Sequence, residues 1–321
     1  LEEEMAVQSE QRPAEQYDDE IDLRELFSVL WAGKKLIVGI TAIFALVAVF
    51  YALSIPNQYR ATAIVSPAQD GGGGLSGALG QLGGLASLAG VSIGAGESSE
   101  AQVAQEIMRS RGFIEEFISE NNLAVEVFAA KGWDMASNQL DIDSDLYDVG
   151  SSQWVRDIPK GKVLVPSGWE LFKKFSEMFS VSDDKKTGMV SISVEYFSPQ
   201  LAKEWVDRLV IGINQHMQSR KLEKVNINIQ YLEAQIEKTS IAEMREVFYT
   251  IIEEQIKSKM LAEASPEYAF VTVSPAMVPE EKSQPKRALI CILGTLLGGM
   301  LSVLWVLVRH YTRSTAVALG Q

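Results

Sequence analysis

Cysteine and histidine are almost missing from this chain, and their scarcity excludes much chemistry before any motif is read. The 321 residues hold one cysteine, Cys291, and two histidines, His216 and His310. A lone thiol forms no disulfide within the chain, and two separated histidines leave a Ser-His-Asp triad or a His-ligated metal without its parts. No catalytic residue, cofactor-binding residue or metal ligand is predicted, and the chain is read as a non-enzyme. Basic charge is short too: 29 Lys and Arg stand against 42 Asp and Glu, a formal net charge of −13. The deficit falls on residues 1–35 (4 basic, 10 acidic) and on residues 56–287 (23 basic, 32 acidic). Neither offers the basic face that nucleic acid requires, so no nucleic-acid partner is expected.

Charge of either sign is absent from two apolar runs, Leu36–Ile55 and Ala288–Val308. At ~1.5 Å rise per residue, a helix of about 20 residues covers the ~30 Å hydrocarbon core of a bilayer. The runs are expected to be transmembrane helices that enclose everything between them. Arg24, Lys34 and Lys35 precede the first span and only Arg60 follows closely, which puts the N-terminus on the cytoplasmic side. With two spans both termini share that side, and residues 56–287 form a domain on the other. The acidic start is unlike the basic opening of a cleaved leader, so the first span is read as an uncleaved anchor. The chain opens on Leu1 rather than Met, and Met5 is a candidate start.

Residues 1–20 are acidic and polar, the composition of a disordered tail. Leu23, Leu26, Phe27, Leu30 and Trp31 then recur at helical spacing, with Asp22 and Glu25 placed to cap the start, so residues 21–35 are expected to form an amphipathic helix at the inner membrane surface. Beyond Pro56, Gln58–Ser66 reads as a strand. Residues 71–96 hold 11 glycines among Leu, Ala, Val and Ile; no Gly-Lys-Ser/Thr follows, which excludes a nucleotide loop. The segment is left between a disordered linker and a loop or short helix that packs on a neighbouring subunit or on the membrane surface.

Residues 100–121 fit one helix with Val103, Ile107, Ile114, Phe117 and Ile118 inward, and Leu123–Phe128 fits a strand. Asp141, Asp143 and Asp145 resemble the opening of a calcium loop, but Leu146 stands where glycine is needed and Ser152 where a glutamate is, so a solvated acidic loop is expected. Trp169–Phe179 reads as a helix. Val190, Ile192, Val194 and Tyr196 alternate with polar residues as in a half-buried strand, and Ser198-Pro199 offers an N-cap with proline at the first helical position. A mixed sheet flanked by helices is the expected packing.

Glycine and proline are absent from Ile213–Ala264. Leu222, Val225, Ile229, Leu232 and Ile236 are spaced 3, 4, 3, 4 within it, which is a coiled-coil seam. Ser240 and Glu243 form a capping-box pattern, so the chain is expected to restart there as a second helix with Met244, Phe248, Ile251 and Ile252 as its stripe. The result is an antiparallel hairpin, or one very long helix if the cap is unused. An apolar seam on such an extension calls for a partner, and self-association is expected. Tyr268–Ser274 reads as a returning strand, and Pro275, Pro279 and Pro285 make a stiff connector toward the second span. Within that span Gly294 and Gly298 form G-x-x-x-G, which lets helix backbones approach closely, either within one chain or between subunits.

These expectations assemble into an α+β fold with two transmembrane helices around an outer α/β base and a long helical, coiled-coil-like hairpin. The divisions are a disordered cytoplasmic tail (1–20), the amphipathic helix (21–35), span one (36–55), the base (56–198), the helical extension (199–264), the returning strand and connector (265–287), span two (288–308) and a short cytoplasmic tail (309–321).

At this point the chain resembles a family. DEIDLRELFSVLWAGKK before the first span, IPNQYRATAIVSP after it, AQVAQEIMRSRGFIEEFI, FSPQLAKEWVDRLV, the stretch from NIQYLEAQ to KSQPKR, and the glycine-bearing second span are similar to the Wzz-type chain-length determinants, or polysaccharide co-polymerases, of Gram-negative bacteria. The resemblance implies an inner-membrane protein with a periplasmic α/β base and a long helical extension, which assembles into a ring or bell-shaped homo-oligomer and sets how many repeat units a membrane glycan polymerase adds to a lipid-linked polysaccharide. The partners it implies are further copies of the chain, the polymerase, the lipid-linked polysaccharide and membrane lipids. Some relatives continue after the second span into a tyrosine kinase; only about a dozen residues follow Val308 here, and no kinase activity is expected. Three functions are weighed: regulation of O-antigen-type chain length, activation of a separate tyrosine kinase in capsule or exopolysaccharide export, and periplasmic glycan cleavage. The seam residues are assigned to assembly or hairpin packing. Pro275, Pro279, Pro285, Gly294 and Gly298 are assigned to coupling the outer domain to the membrane.

Overall fold

The computed structural model describes residues 23–68, 100–158 and 161–318. The expected disordered tail and the glycine-rich segment 71–96 lie outside these residues, as does Asp22. The chain divides into two compact units, one from its two terminal segments and one from Pro56–Pro285.

The terminal unit holds helices α1 (Leu23–Ala32), α2 (Lys34–Ser54) and α9 (Arg287–Ala318). α1 and α2 are nearly continuous, because Gly33 keeps a helical backbone and its N–H still bonds Val29 O at 2.9 Å. On α1 Val29 is buried, whereas Phe27 and Trp31 of the expected apolar stripe are exposed. Lys34–Ser54 and Arg287–His310 are long and apolar enough to cross a membrane. α9 continues through the expected short tail to Ala318.

In the second unit β1 (Tyr59–Pro67) is followed, after the undescribed segment, by α3 (Glu100–Arg109), α4 (Arg111–Glu120) and α5 (Ala124–Ala129). The single helix expected over 100–121 is two, because Ser110 leaves the helical region and caps α4 by accepting from Phe113 N. The break turns α3, so that Ala101, Ala104 and Met108 are buried while Val103 and Ile107 are only partly so. The strand expected at Leu123–Phe128 is instead α5. Its alternation is too short to decide, and the i,i+4 pair Leu123 and Val127 supplies the buried face. The acidic stretch holds two small hairpins, β2 (Ala130–Asp134) with β3 (Gln139–Ile142) and β4 (Tyr147–Asp148) with β5 (Gln153–Trp154). Asp148 caps its own turn: the Ser151 hydroxyl, then Gly150 N and Ser151 N, donate to its carboxylate and hold its carboxyl below the usual range.

α6 (Gly168–Met178) begins with a complete capping box between Ser167 and Glu170. It leads into β6 (Phe179–Asp183) and β7 (Val190–Tyr196). The main sheet runs β6-β7-β1-β8, with β8 at Phe270–Ser274, and each pairing is antiparallel. The expected mixed sheet is corrected on this point: β6 and β7 are joined by a hairpin, which can only give antiparallel neighbours. Tyr59, Ala61, Ala63 and Val65 of β1 face the core, as do Val190, Ile192, Val194 and Tyr196 of β7.

That buried face is covered by the first half of α7 (Pro199–Lys238), through Ala202, Trp205, Val206, Leu209 and Ile213. The Trp205 ring lies tilted, with its centroid 4.3 Å from that of Tyr196 and 5.9 Å from that of Phe175, and Phe175 continues to Phe117 at 5.5 Å. This aromatic row ties sheet, α7, α6 and α4 into one core. The Tyr196 hydroxyl donates to Glu126 O at 2.7 Å, and burial keeps it protonated far above its ordinary pKa. α7 starts where expected, with Ser198 accepting from Leu201 N. The second helix, α8 (Ala242–Glu263), has Ile241 at its N-cap with no side-chain cap, so the Ser240–Glu243 capping box does not form. The chain still reverses over Thr239–Ile241, where Thr239 turns its hydroxyl back to Gln235 O.

Candidate functional site

The residues assigned from the sequence fall in three places: the paired spans, the returning connector and the helical hairpin. α2 and α9 run antiparallel through small residues. A Cβ added at Gly294 would lie 2.5 Å from Ala48 Cβ, and one at Gly298 would lie 2.5 Å from Phe44 Cβ. The G-x-x-x-G element therefore packs span against span within one chain, where its small residues allow backbone approach. The contact extends both ways. Ser302 is fully buried, 3.5 Å from the Thr41 hydroxyl, and a Cβ on Gly33 would meet Val306 at 2.6 Å. Arg287 donates to Ala52 O at 3.1 Å at the other end. Positions 294, 298, 302 and 306 thus form one i+4 row on α9, in which Ser302 and Val306 extend the glycine motif, and Ala48 and Ala52 are the buried small residues of α2.

Along the connector Pro275 is exposed, Pro279 half-buried and Pro285 buried. The stretch is fixed at its end by backbone bonds: Gln58 N donates to Gln284 O at 3.0 Å, and Ser283 N donates to Gln58 O at 2.8 Å. The segments entering and leaving this unit are thereby tied to each other. Glu195, at the end of β7, fastens the same place. One carboxylate oxygen takes the Arg60 guanidinium at 2.8 Å and the other takes the Ser283 hydroxyl. No sequence signal marked Glu195, because the clasp joins residues 135 and 88 positions apart.

On the second half of α7, Val225 and Ile236 are buried and Leu222, Ile229 and Leu232 are half-buried, so the five predicted residues share the less exposed face. α8 packs against α7, and Gln218 on α7 donates to Ala262 O at 2.7 Å and Ser265 O at 3.2 Å. On α8 Ala262 is buried and Phe248, Ile252, Gln255, Ser258 and Lys259 are half-buried, whereas Met244 and Ile251 of the expected stripe are exposed. Below this point Asn214 is buried among apolar neighbours and clamps β8. Its carbonyl oxygen accepts from Ala269 N and Phe270 N, both at 2.8 Å, and its amide donates to Phe270 O at 2.9 Å. Outside the covered face, Ile227 and Tyr231 on α7 and Val247, Tyr249 and Ile256 on α8 are exposed.

Two further arrangements hold charge. Arg156 and Glu170 form a buried bidentate pair at 2.9 and 3.1 Å, with Arg156 also donating to the carbonyls of Val163 and Leu164. Hydrogen bonds from Arg156, then Lys162 and Ser167, hold the Glu170 carboxyl far below the usual carboxylate range despite its burial. His216 sits edge-on to Phe113, with Nδ1 3.6 Å from Glu116. Among the described residues no group of three or more His, Cys, Asp or Glu is placed to hold a metal ion. Asp141 faces Lys131, and Asp143 caps Asp145 N.

Residues 19–121 match the family model described as Wzz, chain length determinant protein, and residues 242–311 match the model described as GNVR, "G-rich domain on putative tyrosine kinase". The chain is 43% identical over 53 residues to an ECA polysaccharide chain length modulation protein of Escherichia coli K12, a match that covers 16% of this chain and 15% of that protein. It is 47% identical over 47 residues to the protein of the same name in Salmonella typhimurium LT2, covering 15% and 14%. The chain thus spans about 15% of the length of the curated relatives it matches. Among solved structures, a full-length bacterial polysaccharide co-polymerase is 16% identical with a TM-score of 0.38, covering 91% of this chain and 99% of that one. A fragment of WzzB, a polysaccharide co-polymerase from Salmonella Typhimurium, is 14% identical with a TM-score of 0.28, covering 71% and 100%. The two domain models take in both candidate spans, the strand that follows the first and the connector that precedes the second, so the chain carries a Wzz chain length determinant domain at residues 19–121 and a GNVR domain at residues 242–311.

Proposed function

We propose that this protein is a non-enzymatic regulator of surface polysaccharide chain length, of O-antigen type, acting as a homo-oligomeric co-polymerase beside the membrane glycan polymerase. In this reading α2 and α9 span the bacterial inner membrane, both termini are cytoplasmic and Pro56–Pro285 is periplasmic. The observation that carries it is the helical hairpin. One face of α7 and α8 is covered by their mutual packing, yet Ile227, Tyr231, Val247, Tyr249 and Ile256 remain exposed on the others. Apolar surface of this extent on a helix pair is stabilised by burial against a partner, and a second copy supplies the same surface. The relatives named for chain length modulation support the same reading. The seam residues Leu222, Val225, Ile229, Leu232 and Ile236 hold the hairpin that presents this surface, while Pro275, Pro279, Pro285, Gly294 and Gly298 couple the outer unit to the spans.

The test substitutes Ile229→Lys and Leu232→Lys. The particle mass of the full chain in detergent is expected to fall toward the monomer, and the glycan length distribution of cells carrying the variant to broaden. Wild-type mass together with wild-type lengths contradicts the proposal. A second reading, an adaptor that activates a separate tyrosine kinase in polysaccharide export, is favoured by the GNVR match, whose description places that domain on tyrosine kinases. It predicts loss of tyrosine phosphorylation and of exported polymer on deletion, with the modal length unchanged.

A further inference from the structure

The terminal unit contains a cavity that neither span pairing nor chain-length control explains. It lies where α1, the start of α2 and α9 meet, and has a volume of about 490 Å³. Val29, Leu36 and Val306 form its apolar wall, and Lys35, Arg309 and His310 form its polar edge. No carboxylate among the described residues lines it. The close approach of Gly33 to Val306 draws the ends of α2 and α9 together, which brings Lys35 and Arg309 to one opening. Beside it, Trp31 is exposed beneath the Lys34 ammonium, 4.4 Å from the ring centroid, and Phe27 is exposed as well. Amphipathic aromatics and cations at the end of a span are the side chains that settle at the depth of lipid headgroups.

We propose that this cavity binds one anionic phospholipid, with its phosphodiester between Lys35 and Arg309 and its acyl chains along the apolar surface of α2 and α9. The volume falls within the range of small-ligand sites, and the arginine fork suits two phosphate oxygens at once. The wall of Val29, Leu36 and Val306 explains why a lipid rather than a free anion is the occupant, since it is continuous with the uncharged runs of the two spans. The proposal rests on reading α2 and α9 as spans, which carbonate extraction of cell membranes tests separately, and it is independent of any effect on glycan length.

The experiment takes the full chain in neutral detergent, adds phosphatidylglycerol or phosphatidylcholine of identical acyl chains, and counts retained lipid by native mass spectrometry. Two cations, each contributing about a fivefold factor, give an expected preference of roughly 25-fold for the anionic lipid. Lys35→Gln with Arg309→Gln should reduce the preference to within about threefold, and Val306→Trp, which fills the cavity without changing charge, should abolish retention of the anionic lipid. On the unaltered protein, salt raised to about 1 M should weaken retention of the anionic lipid alone. Equal retention of the two lipids overturns the proposal, as does undiminished preference in a double variant that melts like wild type. Displacement of the lipid by inorganic phosphate also overturns it, because the site then belongs to a soluble anion.

Discussion

Gly294 on α9 lies so close to Ala48 on α2 that a β-carbon at the glycine would sit 2.5 Å from the alanine methyl. Contacts at that separation never persist, so one of the two helices must move if the hydrogen is replaced. The same holds one turn on, where Gly298 faces Phe44. Without a hydrophobic force between helices in lipid, such close packing is a main source of span association.

The pairing within one chain is expected to be visible chemically. Ala48→Cys with Gly294→Cys, in a Cys291→Ser background, should oxidise to an internal disulfide, because the two β-carbons fall near disulfide range after a small shift. Gel mobility under non-reducing conditions reads the result. Crosslinked dimers in place of an internally bridged monomer would show that the motif joins subunits instead.

Asn214 is the residue whose loss should cost the outer unit most for its size. Asn214→Leu removes three hydrogen bonds and leaves Ala269 N–H and Phe270 N–H buried without acceptors. A destabilisation of about 3 kcal/mol is expected, with β8 released from α7. Thermal melting of the full chain in detergent and hydrogen exchange at 268–274 measure both. A melting temperature within a degree of wild type would contradict the assignment.

The Arg156–Glu170 pair predicts a pH dependence with a definite sign. The folded carboxyl titrates below its unfolded counterpart, so its stabilisation is fully present above the unfolded value of about 4.3 and is lost as pH falls through the folded value. Glu170→Gln should therefore be destabilised by roughly 3 kcal/mol at neutral pH, the cost typical of leaving one buried partner alone. The gap to wild type should close as pH drops below about 4. A gap independent of pH would assign the loss to packing rather than charge.

Glu195→Ala separates fastening from folding. It frees Arg60 and Ser283, while the backbone bonds between Gln58 and the Ser283–Gln284 segment persist. The expected cost is about 1 kcal/mol, with faster hydrogen exchange confined to the connector. Uniform exchange changes across the sheet would show that Glu195 supports the core instead.

What could be read in the sequence follows from the range of the forces involved. The two long apolar helices, the start of α7 at Ser198-Pro199 and the core strand Val190–Tyr196 are set by composition or by neighbours a few residues away, and as elements they stand where expected. The seam from Leu222 to Ile236 was legible as a face for the same reason, although its periodicity names no partner. Leu123–Phe128 went wrong because six residues satisfy two periods at once, and tertiary burial of Leu123 and Val127 chose the helix. The Ser240–Glu243 cap failed where the reversal placed Ile241 first, which no local pattern marks. Asn214, Glu195 and the Arg156–Glu170 pair are defined by contacts 14 to 135 positions apart, and each is an ordinary polar residue until the chain has folded.

The central claim is tested most directly by the size ladder of surface polysaccharide from cells with and without this gene, with polymerase and expression held constant. Length regulation predicts that the modal cluster collapses on deletion into a decay toward short chains and returns with the gene. An unchanged modal cluster, with less exported polymer and less tyrosine phosphorylation, would contradict the account and favour the adaptor.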